Sequence, residues 1–67
     1  MTTDRNWDGE KIRHFRKERG YSQYRLAQKI DYTRSTLSGW ERGRNKPPRH
    51  AIEQISEVLD VPTIRFR

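Results

Sequence analysis

The sequence predicts an all-α domain of four or five short helices, on three observations. Apolar residues recur at helical spacing in four segments between Gly9 and Leu59. Asp8, Ser22 and Thr33 stand before three of these segments, and all three are favoured N-cap residues. Gly20 and Gly43 follow two of them, where a helix closing in the left-handed conformation places glycine.

The first helix is expected from about Gly9 to Glu18, with Ile12 and Phe15 on one face and Arg16 beside them. The second follows Ser22, from Gln23 to about Ile30, and its apolar stripe is Leu26, Ala27 and Ile30. Arg25 rather than Glu stands three residues after the cap, so no capping box forms. Asp31, Tyr32 and Thr33 make a short polar turn. The third helix, from Arg34 to about Arg42, has two unlike sides. Thr36, Leu37 and Trp40 occupy one sector about 100° wide, and Arg34, Ser35, Ser38 and Arg42 the opposite one. Gly39 borders the polar side; it weakens the helix by about 1 kcal/mol relative to Ala and permits close approach by another surface. The segment from Gly43 to Pro48 is a loop by composition. The fourth helix runs from about Arg49 to Leu59, with Ile52, Ile55, Val58 and Leu59 on one face and Ala51 near it. Thr63 to Arg67 alternates apolar and basic residues, which predicts a short strand. The expected organisation is an N-terminal arm over 1–8, a helical core over 9–61 and a tail over 62–67.

Composition sets the frame. A chain of 67 residues holds one small domain, which buries only about 60% of its unfolded surface. There is no cysteine, so disulfides and thiolate zinc sites are excluded. His14 and His50 are far apart without ligand-like neighbours and read as surface residues, so no metal or cofactor is expected. A second subunit remains as a stabiliser. Fifteen Lys and Arg against nine Asp and Glu give a net charge of +6, which favours a polyanionic partner. Eleven of the fifteen are Arg, suited to bidentate contacts with phosphate or guanine. No apolar run approaches a membrane span, and the first residues lack the apolar core of a signal peptide, so a cytoplasmic protein is expected. Glycine-rich phosphate loops, paired catalytic carboxylates and Ser-His-Asp patterns are missing, which argues against an enzyme.

Two short helices joined by a tight turn, the second exposing a polar face, form a helix-turn-helix pattern. A helix of this kind fits the DNA major groove and reaches base edges with its first residues. The ordered segments Ile12-Arg13-His14-Phe15-Arg16, Gly20-Tyr21-Ser22-Gln23, Leu26-Ala27-Gln28-Lys29-Ile30, Ser35-Thr36-Leu37-Ser38-Gly39-Trp40-Glu41-Arg42-Gly43, Pro47 and Val58-Leu59-Asp60-Val61 are spaced as in one family. The chain resembles the Cro/CI-type (XRE-type) helix-turn-helix repressors from about Ile12 to Val61.

The resemblance implies a lambda-repressor-like fold and a set of roles. Arg34, Ser35 and Ser38 are the expected base-reading residues. Ser22, Gln23, Thr33, Arg42, Arg44, Asn45 and Lys46 are expected along the DNA backbone, with Gln23 also within reach of an adjacent base. Gly39 departs from the family, which often carries a longer base-reading residue there, and this concentrates reading at the start of the helix. Arg16 and Glu41 match a structural ion pair, with Arg16 also near phosphate. Trp40 is expected in the core. Tyr21 and Tyr24 are expected as partly exposed packing residues, and Tyr32 sits in the turn, where contact with DNA is the lesser of its readings. Trp7 is expected to cover the first or fourth helix. Arg13, Lys17 and Arg19 read as a solvated face.

The expected function is a sequence-specific transcriptional regulator of a bacterium, phage or mobile element, a repressor binding an inverted repeat in double-stranded DNA as a homodimer. The alternative is an antitoxin or antirepressor subunit acting through a protein partner (a toxin or a repressor), motivated by Ile64 and Phe66 in the tail. Non-specific nucleic-acid binding is a third reading. Two dimer surfaces compete: the fourth helix with the region near Pro62, or strand pairing through Thr63 to Arg67.

Overall fold

A computed structural model of the chain describes residues 7–67. Most of the expected N-terminal arm, residues 1–6, lies outside the described residues. Four α-helices follow in order: α1 (Gly9–Glu18), α2 (Gln23–Lys29), α3 (Arg34–Glu41) and α4 (Arg49–Leu59). Each of the first three begins on its expected cap. The Asp8 carboxylate accepts from the Glu10 N–H at 3.0 Å, Ser22 Oγ from Arg25 N–H at 3.0 Å, and Thr33 Oγ1 from Thr36 N–H at 3.2 Å.

All four helices end in one motif. A residue one or two places past each helix is left-handed: Gly20 (φ 78°), Asp31 (φ 66°), Gly43 (φ 77°) and Asp60 (φ 59°). The next N–H then reaches back five residues. Tyr21 donates to the Arg16 carbonyl, Tyr32 to Ala27, Arg44 to Gly39 and Val61 to Ser56, all at 2.9–3.1 Å. These bonds satisfy carbonyls that the helix end leaves open. Asp tolerates the left-handed region better than most residues, so it serves twice without glycine.

The core draws on every helix. Ile12, Leu26, Ala27, Ile30, Leu37, Trp40, Ala51, Ile55 and Leu59 are buried, with Trp7, Val61 and Phe66 closing the ends. α3 packs on α2 and on α1, and α4 packs on α2. Tyr32 in the turn meets Trp40 edge-on at 4.9 Å and hydrogen-bonds His50 Nε2 through its hydroxyl at 2.9 Å. That pair ties the turn between α2 and α3 to the first turn of α4.

Gly9 opens α1 against the end of α3. A methyl group there would lie 2.3 Å from the Trp40 carbonyl oxygen and 2.5 Å from that of Glu41. Both obstacles are backbone, so neither can swing aside. Gly9→Ala is therefore expected to destabilise by roughly 1–3 kcal/mol despite the better helix propensity of alanine. A urea titration read by circular dichroism checks this; a stabilised variant would mean that α1 does not abut α3 there.

The tail corrects the sequence reading. Thr63–Phe66 is a 3₁₀ helix, not a strand. Phe66 is fully buried, edge-on to Phe15 at 5.8 Å. Lys11 Nζ donates to the Arg67 carbonyl at 2.6 Å, and the Arg65 guanidinium lies over the Phe15 ring. Docking Phe66 between α1 and α4 buries more apolar surface than an isolated strand would, so the coiled form wins over the alternating pattern. Strand pairing between two tails is thus not available in this conformation. Of the two apolar tail residues, Ile64 and Phe66, only Ile64 is exposed.

Candidate nucleic-acid interface

α3 presents the site. Thr33 caps its start with its hydroxyl, which also bonds Thr36 Oγ1 at 2.9 Å. Leu37 and Trp40 are buried, and Thr36 is half-buried. The opposite side carries Arg34, Ser35 and Arg42 in solvent and Ser38 half-exposed. Arg44, Asn45 and Lys46 follow in the exposed loop. No acidic residue lies between Arg34 and Glu41, so the exposed charge along this helix and its loop is positive.

Two hollows flank the polar side of α3 and share Arg34, Ser38 and Arg42. One runs toward the loop, past Ser35, Gly39, Arg44 and Asn45. The other runs toward α1 and α2, past Ser22, Gln23, Arg13 and Tyr24. Ser22 and Gln23 are thus brought to the same surface as Arg34 from a different helix. Thr33 and Lys46 are exposed at the two ends of the α3 region. Arg13 and Tyr24 also line this surface, a placement the sequence reading did not give them. The signal was present for Arg13: it stands three residues before Arg16 and so shares its side of α1. Arg19 instead donates to the Asp60 carbonyl at 3.3 Å.

A buried network fixes these helices to one another. Arg16 and Glu41 are 6% and 7% exposed. Arg16 Nε donates to Glu41 Oε2 at 2.6 Å and Nη2 donates to Oε1 at 3.1 Å, a bidentate pair. Arg16 Nη1 donates to the Tyr21 carbonyl at 2.9 Å. Gln23 Nε2 donates to Glu41 Oε1 at 3.0 Å. One carboxylate therefore holds α1, the start of α2 and the end of α3. No buried side-chain polar atom among the described residues lacks a partner. Gln23 enters this network as a structural member, a bond the sequence reading did not anticipate.

An N-capped helix with a bare polar and basic side, pinned across a tight turn to its predecessor, defines a helix-turn-helix domain. The helix-turn-helix family matches residues 12–66, and the chain belongs to that family, in its XRE-type form. It is 43% identical over 54 residues to the HTH-type transcriptional regulator SinR of Bacillus subtilis, a match covering 79% of this chain and 49% of SinR. The chain thus spans about half the length of that relative. A crystal structure of SinR, described as the master regulator for biofilm formation in complex with DNA, is 40% identical with a TM-score of 0.79, covering 85% of this chain and 95% of that one. The restriction-modification controller protein C.AhdI of Aeromonas hydrophila is 30% identical with a TM-score of 0.80, covering 85% and 83% of the two chains. Among the described residues no helix is long and apolar enough to cross a membrane.

Proposed function

We propose that this chain is a sequence-specific double-stranded DNA-binding transcriptional regulator, a cytoplasmic repressor that binds an inverted repeat as a homodimer. The observation that carries it is the exposed Arg34–Ser35–Ser38 side of α3, flanked by Arg42, Arg44 and Lys46. α3 enters the major groove with its N-terminal end foremost. Arg34 donates two bonds to a guanine, and Ser35 and Ser38 reach neighbouring base edges. Arg42, Arg44 and Lys46 neutralise phosphates on one side, and Ser22, Gln23 and Thr33 grip the backbone on the other. Glu41 holds Gln23 by its Nε2, which leaves the amide oxygen and the second N–H for DNA. The likeness to SinR, solved with DNA, supports the same docking. Two copies related by a two-fold axis place their α3 helices about 34 Å apart, one turn of DNA. The face of α4 near Pro62 and the exposed Ile64 is the surface assigned to the second copy.

The test is a gel-shift titration over a selected operator at several salt concentrations. Arg34→Ala is expected to weaken binding by roughly 1–3 kcal/mol and to relax preference at one base pair. Lys46→Ala, as a contrast, is expected to weaken all sequences alike and to lower the salt slope by about one unit. Unchanged operator binding by Arg34→Ala would refute the base-reading role.

A further inference from the structure

Gly39 is buried although it lies on the polar side of α3. What covers it is Asn45. A methyl group at Gly39 would lie 2.8 Å from Asn45 Nδ2 and 3.8 Å from its Cγ. The backbone sets this up. Left-handed Gly43 reverses the chain, and the Gly39 carbonyl accepts from the Arg44 N–H at 2.9 Å and from the Asn45 N–H at 3.4 Å. The loop is thereby folded back, and the Asn45 carboxamide lies on the bare helix at residue 39. No group among the described residues hydrogen-bonds that carboxamide. It faces the hollow walled by Arg34, Ser35, Ser38 and Arg42.

We propose that Asn45 is a base-reading, specificity-determining residue, which presents its carboxamide to adenine from the place that a side chain at residue 39 would otherwise fill. This assignment rests on the DNA-binding reading above. A carboxamide carries a donor and an acceptor side by side, the pattern that matches adenine N6 and N7 in the major groove. Glycine at residue 39 is what makes room for it. The resemblance implies a backbone role for Asn45, from which this assignment departs: the flanking Arg44 and Lys46 carry the charge suited to phosphate, and the amide lies instead in the hollow beside Arg34, Ser35 and Ser38. Packing on Gly39 also restricts the Asn45 side chain before DNA arrives, so less rotamer freedom is lost on binding. The reading surface therefore extends past the first turn of α3 by means of a loop residue.

The experiment is selection from a random duplex library with the wild-type chain, Asn45→Ala and Gly39→Ala, followed by affinity measurements at several salt concentrations. The wild type should enrich a motif with an adenine at one position of each half-site. Asn45→Ala should flatten that position, with discrimination falling about tenfold, while the other positions and the salt slope stay as they are. Gly39→Ala should flatten the same position although Asn45 is chemically intact, because its methyl displaces the amide. It should not melt earlier than the wild type, since alanine favours the helix and only the end of a flexible side chain must move. If both variants keep every position of the motif, or lose affinity uniformly across sequences, Asn45 is not a base reader. Should Asn45→Ala fail to fold, the Gly39→Ala selection decides alone. A wild type that enriches no motif overturns the DNA-binding reading and this assignment together; an enriched motif indifferent to both variants overturns this one only.

Discussion

Glu41→Ala is expected to cost the domain roughly 3–5 kcal/mol, the largest effect of any single polar change. The substitution leaves the Arg16 guanidinium buried with only the Tyr21 carbonyl as partner. It also releases Gln23 from the end of α3. A domain of this length has only about 3–10 kcal/mol of total stability, so most of the fold is at stake. Replacing both charges, Arg16→Met with Glu41→Leu, should recover much of the loss, because no charge is then stranded in the interior. The comparison separates an uncompensated charge from simple loss of packing. Thermal melts of the wild type, the single variant and the double variant give the answer. A Glu41→Ala midpoint within a few degrees of the wild type would show that Arg16 finds solvent without its partner.

Phe66→Ala is expected to be about as severe, roughly 3–5 kcal/mol. The ring is fully buried, and its neighbours come from α1 and α4 as well as the tail. Phe15 also loses its edge-on partner when this ring is removed. The measurement is a urea titration run beside sedimentation. Loss of stability in the monomeric species is the expected outcome. A variant that keeps its unfolding midpoint but loses its dimer mass would instead make Phe66 an interface residue and overturn the docked tail. The same reasoning changes how the dimer is probed. Removing Thr63 to Arg67 takes away core, so a single exposed side chain such as Ile64 is the better handle.

The helices were legible because their start signals are local. Asp8, Ser22 and Thr33 cap with their own side chains, and a cap needs only the next three residues. Gly20 and Gly43 were legible as helix ends for the same reason. Asp31 and Asp60 perform the same turn but gave no sign of it, since aspartate adopts the left-handed region only where the surrounding packing fixes the chain. The tail misled for a related reason. Alternation over five residues is a weak signal, and one buried ring outweighs it.

The reading side of α3 was also legible, as a strip of Arg34, Ser35, Ser38 and Arg42 opposite Leu37 and Trp40. Helical periodicity fixes that division before any contact is made. Arg13 and Tyr24, the Gln23 bond to Glu41 and the Asn45 amide on Gly39 were not legible. Each joins residues from different elements or across a reversed loop, and sequence spacing carries no distance of that kind. By itself, then, the sequence determined the helices, their faces, the positive charge and the family. The tertiary structure decided which of those faces meet, how one carboxylate ties three helices together, and that the gap left by a glycine is filled by an asparagine six residues later. Local propensity sets an element, but only the closing of the chain on itself sets what that element touches.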